Sequence, residues 1–229
     1  MRPSVRQAFV AFTAPIEGVL SFMYLDVKGL VTTAIGNLID PVTYALTLPW
    51  KRSNNEPATQ DEIREEWAAV KARQDLKLHG GRAFEGITNL RLDAQGIDEV
   101  VFSKLDMNDS ILRGRFTELE TWPADAQLAL HSMAWACGPW LNWPLLTRAL
   151  EQQDFQMCAL ECTINERGNP GVHPRNVANR VLFRNAARVK ERGLDPDVLY
   201  WPKDLTCDPN ADTLPSTVHP AVPLDPPDD

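Results

Sequence analysis

Residues 17–38 read EGVLSFMYLDVKGLVTTAIGNL, and this stretch predicts a β-hairpin that follows a helix. Two β-prone runs, 21–25 and 30–35, flank the turn residues 26–29, which end in a glycine. Alternation along the second run predicts one side that faces the core and one side of small residues that a ligand can approach. Upstream, apolar residues spaced by three and four predict an amphipathic helix over residues 4–20. The core side comprises Val31, Thr33 and Ile35, and the small side comprises Leu30, Thr32, Ala34 and Gly36.

Glu17, Asp26 and Thr32 supply the side chains that hydrolysis of a glycosidic bond needs. One carboxylic acid protonates the leaving oxygen while a carboxylate activates water, and in inverting enzymes the two groups lie roughly 6.5–9.5 Å apart. A helix end that faces a hairpin can provide that separation. We expect Glu17 to stay protonated through burial beside apolar groups, Asp26 to stay ionised in a wetter place, and Thr32 to hold the water. The plain alternative is a solvated helix end and a hairpin turn.

This stretch resembles the T-even phage lysozyme family, glycoside hydrolase family 24. The family motif is E-G, then Y-x-D, then G-x-x-T-x-G-x-G-H-L; the chain carries the E-G pair at 17–18, the Tyr and Asp at 24 and 26, and the Gly, Thr, Gly and Leu at 29, 32, 36 and 38. The resemblance implies that Glu17 is the general acid, Asp26 the water-activating carboxylate and Thr32 the water-holding hydroxyl. It implies hydrolysis of peptidoglycan at the β-1,4 bond between N-acetylmuramic acid and N-acetylglucosamine, and it places Leu38 among the residues that support the site.

Two positions depart from the family motif. Ala34 stands where the family usually has glycine, and a methyl group on the small side of the hairpin would narrow the path of the sugar. Asn37 replaces the family's histidine, which removes a pH-sensitive ion pair rather than a catalytic group.

The resemblance continues into the second half of the chain. Residues 122–138 resemble the family's central buried helix, with Ala136 in place of its usual asparagine. Residues 174–181 resemble the helix from which an arginine reaches toward the catalytic glutamate, and Arg180 or Arg175 is the candidate; the alternative for both is a solvated helix face. The resemblance implies a lysozyme-like two-lobe α+β fold, mostly helical, with a small N-terminal hairpin or sheet.

The domain organisation follows from changes in pattern and composition. We predict a lysozyme-like catalytic domain over residues 1–194, with a small lobe over about 1–95 and a helical lobe over about 96–194. Residues 195–229 hold eight Asp, one Lys and eight of the 18 prolines, which predicts an extended and largely disordered acidic tail. Smaller elements are a helix starting at Asp40-Pro41, a helix from Thr59 to about Arg73 with a capping box, and helices over 97–119, 123–136, 144–150, 155–165 and 174–189.

Composition also excludes several classes of function. The net charge is -8, of which the tail holds -7, so the near-neutral body does not favour duplex nucleic acid as a partner. No apolar run is long enough to span a bilayer and no signal peptide is recognisable, so we expect no membrane insertion. The four histidines lack the pairing of a zinc enzyme, and Cys158 and Cys162 are expected to be buried thiols, so no metal or cofactor is expected.

His131 is expected to be a core or cleft-edge residue. Trp122, Trp135, Trp140 and Trp143 could stack on sugars, although core packing is the commoner role.

The predicted function is that of a monomeric endolysin. It would wait in the host cytoplasm and act on the periplasmic cell wall, with peptidoglycan as its partner, once a holin-type protein opens the membrane. Three alternatives stay open: a virion-associated lysozyme used for DNA entry, a lytic transglycosylase that uses Glu17 alone, and an inactive lysozyme-fold protein that binds or has a structural role.

Overall fold

The computed structural model describes residues 1–167 and 170–206 of the chain. These residues form an α+β fold that is mostly helical, which confirms the predicted class at this level. The helices are α1 (Pro3–Glu17), α2 (Val42–Ala45), α3 (Gln60–Ala72), α4 (Ala94–Arg115), α5 (Ala124–Cys137), α6 (Pro144–Glu151), α7 (Phe155–Glu161) and α8 (His173–Arg192). The strands are β1 (Leu20–Leu25), β2 (Val31–Ala34) and β3 (Asn37–Leu38), and short 3-10 turns cover Gln74–Leu76, Gly81–Ile87, Leu119–Thr121 and Pro170–Val172.

The chain divides into two compact units whose boundaries differ from the predicted lobes. The smaller unit is Glu17–Lys104, and the helical unit is Met1–Ile16 together with the chain from Leu105 onward. The predicted boundary lay near residue 95, with α1 in the small lobe.

Aromatic contacts explain why α1 belongs to the helical unit. The ring of Phe9 lies 5.1 Å from that of Trp135, centroid to centroid, and the ring of Phe12 packs edge-on against Trp201 at 4.9 Å. All four rings lie in the helical unit. The apolar face predicted for α1 is therefore real, and it packs against residues that come much later in the sequence.

The smaller unit is built on a three-stranded antiparallel sheet with strand order β1-β2-β3. Strands β1 and β2 form the predicted hairpin, with Tyr24 paired to Thr32 and Leu25 to Val31. The side of β2 that was predicted to be open to a ligand is not open, because all four residues of the strand are buried. Ala34 packs in the same apolar core as residues of α3 and of the segment 84–92.

Of the two helix caps predicted near the sheet, one is confirmed and one is wrong. The capping box of α3 is confirmed, since the Thr59 side chain accepts from the Glu62 N–H and the Glu62 side chain accepts from the Thr59 N–H. Asp40 does not cap α2, whose N-cap is Pro41. The Asp40 carboxylate instead accepts from the Val31 N–H at 3.2 Å and pairs with Lys71, so it serves the sheet rather than the helix.

The helical unit is organised around α5, which is buried at every residue from Ala124 to Trp135. All five helices predicted over 97–189 are present as α4–α8, but α4 ends at Arg115 and α7 ends at Glu161, earlier than predicted.

Residues 195–206, predicted as the start of a disordered tail, are folded against the helical unit. The Asp125 carboxylate accepts from the backbone N–H groups of Tyr200 (2.9 Å) and Trp201 (3.0 Å), and the Leu205 N–H donates to the Asn185 side chain at 2.9 Å. The prediction of disorder from composition is wrong for these residues, because their hydrogen bonds are made with helices that are distant in the sequence. The rest of the predicted tail, residues 207–229, lies outside the described residues.

Most of the other side chains singled out from the sequence lie in the core. Cys158, Cys162 and His131 are buried, and burial raises the pKa of the Cys162 thiol to about 11. Trp122 and Trp135 are also buried, whereas Trp143 is half-buried and Trp140 is 68% exposed. No helix in the described residues is long and apolar enough to cross a membrane.

Candidate functional site

Glu17 is placed by the way in which α1 ends. It is the last residue of the helix, and Gly18 follows with a φ of 75°, a left-handed conformation that glycine adopts without strain and that turns the chain toward β1. The expectation that Glu17 is buried is wrong, since Glu17 is exposed, as are the two residues after it. A chain that leaves its helix at this point offers no apolar cover to the carboxylate.

Asp26 is held at the turn of the hairpin. Its Oδ1 accepts hydrogen bonds from the backbone N–H groups of Lys28 and Leu30, both at 2.9 Å, and its own N–H donates to the Leu30 carbonyl at 3.0 Å. Because both bonds use Oδ1, Oδ2 is the oxygen through which a half-buried Asp26 can take a proton from water. The same bonds show that the residue also closes the turn.

Thr32 and Leu38 share one side of the sheet with Tyr24. Thr32 pairs with Tyr24 on β1 and with Leu38 on β3, and directly paired residues of antiparallel strands project to the same side. Thr32 is 4% exposed and its hydroxyl donates to the Leu30 carbonyl at 3.1 Å. Toward a water molecule this hydroxyl therefore acts as an acceptor. Leu38 is half exposed.

Both predicted carboxylates, Glu17 and Asp26, lie close enough to Tyr24 for their charges to act on it. Burial is the largest of the causes that raise the pKa of its phenol to about 12, and the nearby charges of Glu17 and then Asp26 act in the same direction. The Gly36 N–H near the phenol oxygen lowers the pKa and opposes this shift. Two carboxylates that both act on one half-buried phenol lie in one neighbourhood, so the structure brings Glu17, Asp26 and the Tyr24–Thr32 pair to one region of the smaller unit.

The two departures from the family motif have structural consequences. The sequence predicts that the methyl group of Ala34 narrows the path of the sugar. This expectation is wrong, because the methyl group is buried in the core. Its φ of 51° is the left-handed conformation that a glycine would adopt more easily. Asn37 is buried too, and its side-chain amide donates to the Val100 carbonyl at 3.4 Å.

Arg175 and Arg180 both lie on α8 in the helical unit. Arg175 is 1% exposed and its Nη1 donates to the carbonyl and the hydroxyl of Ser132, both at 2.8 Å, so it is not a solvated helix residue. Arg180 is half-buried beside Cys162, where its charge opposes the raising of the thiol pKa by burial. Their predicted role toward Glu17 stays a prediction.

Two residues of this region, Tyr24 and Gly81, were not among the predicted site residues. Tyr24 stands two residues before Asp26, and this closeness in sequence was the available signal. Gly81, whose segment packs against Tyr24, had no such signal in the sequence. Across residues 1–167 and 170–206, no group of three or more His, Cys, Asp or Glu side chains could hold a metal ion.

No protein-family model, no curated protein and no solved structure matches the chain.

Proposed function

We propose that the protein is a peptidoglycan hydrolase that cleaves the β-1,4 bond between N-acetylmuramic acid and N-acetylglucosamine. The observation that carries this proposal is the neighbourhood of Glu17 and Asp26 around Tyr24, beside Thr32. An acid, a base and a hydroxyl in one place are what an inverting glycosidase requires. The lysozyme-like two-lobe fold is part of the same proposal.

In the proposed reaction, Glu17 protonates the glycosidic oxygen that leaves. Asp26 takes a proton through Oδ2 from a water molecule, and the same water donates a hydrogen bond to the Thr32 hydroxyl oxygen, which orients it. That water attacks the anomeric carbon of the N-acetylmuramic acid. The bond from this carbon to the bridging oxygen breaks, and the products are a hydrated reducing end and a free sugar hydroxyl. The two N–H donors on Asp26 Oδ1 fix the base in place.

The cellular setting that we propose is host lysis by a phage endolysin. A monomer made in the host cytoplasm would reach the periplasmic cell wall after a holin-type protein opens the membrane, with Arg175, Arg180 and Leu38 supporting the site. A virion-associated lysozyme would use the same chemistry.

A second candidate function is binding of peptidoglycan without cleavage. The exposure of Glu17 favours it, because a carboxylic acid that must hold its proton is usually covered by apolar groups. The use of Asp26 Oδ1 in closing the turn favours it as well.

Release of reducing sugar from purified Gram-negative peptidoglycan separates the two candidates. We expect activity in the wild type and a loss of about 100-fold or more in Glu17→Gln and Asp26→Asn, as for removal of a general acid or base. Glu65→Gln is the matched control, since Glu65 is an exposed glutamate of the same unit on α3. Sedimentation of the folded wild type with peptidoglycan, without release of sugar, would instead establish the binding protein.

A further inference from the structure

One side of α3 bonds to the hairpin of the candidate site, although this helix has no role in the chemistry proposed so far. Trp67, Lys71 and Gln74 follow one another at spacings of four and three, which places them along one side of the helix and of the 3-10 turn after it. The Trp67 indole N–H donates to the Ile39 carbonyl at 2.9 Å. Lys71 Nζ and Gln74 Nε2 both donate to the Gly29 carbonyl, at 2.9 Å and 3.2 Å. This side of the helix therefore contacts the hairpin turn and the chain directly after β3.

The Gly29 carbonyl belongs to the turn that holds the proposed base. The Gly29 N–H donates to the Asp26 carbonyl at 2.9 Å, inside the turn that Asp26 Oδ1 closes. Gly29 is buried, so its carbonyl depends on donors from the protein, and Lys71 and Gln74 supply two. A Cβ built on Gly29 would overlap the Gln74 side-chain amide, so a glycine here lets the amide rest on the turn. The two donors thus help to set the place of the turn, and with it that of Asp26 Oδ2.

Asp40 fixes the Lys71 ammonium from a second direction. Its carboxylate pairs with Lys71 and accepts from the Val31 N–H at the start of β2. The side chains of Lys71 and Asp40 are 33% and 16% exposed, so solvent screens this pair less than an ion pair on the open surface. An ammonium has three donors and can serve the Gly29 carbonyl and Asp40 at once. Lys71 therefore ties the turn to the first residue of β2.

We propose that Lys71 is a positioning residue for the proposed base: its ammonium holds the Gly29 carbonyl, and so keeps Asp26 Oδ2 in place toward the attacking water. This inference rests on the proposed function. Gln74 is a second, uncharged donor to the same carbonyl. Lys71 keeps its proton throughout, and the proton that moves is that of the water. Placement matters because a displacement of about 1 Å in a reacting group can cost about 100-fold in rate.

The first experiment tests the hold on the turn and needs no substrate. Amide hydrogen exchange of the full chain is followed by NMR at the Leu30 N–H, which donates to Asp26 Oδ1. We expect this exchange to be about tenfold faster in Lys71→Met, because a hydrogen bond from a charged donor is lost. In Gln74→Met we expect about threefold, since a neutral donor forms a weaker bond. A Leu30 N–H that exchanges at the wild-type rate in Lys71→Met would refute the proposal.

The second experiment measures kcat and KM on soluble peptidoglycan fragments, at a temperature at which circular dichroism shows every variant to be folded. We expect Lys71→Met to lower kcat about tenfold or more with little change in KM, because the base is displaced while the sugar contacts remain. Lys77→Met is the matched control, since Lys77 is a half-buried lysine of the same unit, and it is expected to leave both constants and the Leu30 exchange rate unchanged.

A double-mutant cycle shows whether Lys71 acts through Asp26. Asp26→Asn removes the base but keeps an oxygen that can accept from the N–H groups of the turn. We expect Lys71→Met to lower kcat about tenfold in the wild-type background and less than about twofold in the Asp26→Asn background. A merely structural lysine would lower kcat equally in both, and that result would overturn the proposal.

The outcomes for the wild type separate this inference from the function on which it rests. An active wild type with an equally active Lys71→Met would overturn the role of Lys71 alone. A folded wild type that releases no sugar would refute the proposed function, and the role of Lys71 in catalysis with it.

Discussion

Replacing Asp125 by asparagine is expected to change how the stability of the protein depends on pH. Asp125 is fully buried on α5, and its carboxylate accepts from the Tyr200 N–H, the Trp201 N–H and the Asn185 amide at 2.9–3.0 Å. Burial raises the pKa of this carboxyl to about 6, although the three donors work in the opposite direction.

The size and the sign of the effect follow from this pKa. Between the ordinary value of 3.8 and about 6, the unfolded chain has lost the proton and the folded chain has kept it. The stability that Asp125 contributes is therefore fully present below pH 3.8 and is lost as the pH rises through 6. The whole titration corresponds to about 3 kcal/mol, of which about 2 kcal/mol falls between about pH 4 and pH 6.

Urea unfolding followed by tryptophan fluorescence measures this effect. The free energy of unfolding is determined from about pH 4 to pH 7 for the wild type and for Asp125→Asn, and other titrating groups cancel in the difference. We expect the wild type to lose about 2 kcal/mol relative to the variant as the pH rises from about 4 to 6. A difference that grows in favour of the wild type over that range would show that the three donors outweigh burial and would refute the reasoning.

Three further changes test the account of the fold, each by thermal or urea unfolding. Gly36→Ala is expected to cost about 1–2 kcal/mol, because the residue has a φ of 71°, although its Cβ would meet only ordinary contact; unchanged stability would contradict this. Gly114→Ala is expected to add about 0.5–1 kcal/mol, since it lies in α4 with nothing within 4 Å, and a loss would contradict it. Lys71→Met removes the donor to the Gly29 carbonyl and the partner of Asp40, and is expected to cost about 1–3 kcal/mol; faster amide exchange in the hairpin turn should accompany the loss.

The local parts of the fold could be predicted from sequence. The hairpin follows from β-prone runs around Asp26 and Gly29, and the start of α3 follows from the reciprocal bonds of Thr59 and Glu62. These elements depend on residues that are close in sequence. Helix existence in the second half was predictable for the same reason, whereas the end of α7 was not.

Features that depend on distant partners could not be predicted. Residues 195–206 look disordered by composition, but Asp125 and Asn185 on α5 and α8 accept hydrogen bonds from their backbone. Asp40 has the pattern of a helix cap, but Lys71 and the Val31 N–H provide stronger partners.

The candidate site shows the same division. The approach of Asp26 to Tyr24 follows from their closeness in sequence, and the position of Glu17 follows from the end of α1. The exposure of Glu17 and the contact of Gly81 with the Tyr24 ring do not follow from the sequence, and the second depends on how the chain folds between β3 and α4. That stretch had no resemblance to guide the prediction.

Hydrolysis of purified peptidoglycan in water enriched in ¹⁸O tests the central claim most directly. The account predicts that the wild type releases fragments whose N-acetylmuramic acid end carries one ¹⁸O at the anomeric carbon, and that Glu17→Gln releases almost none. Fragments that end in an anhydro sugar without ¹⁸O, or no fragments from a folded wild type, would contradict it.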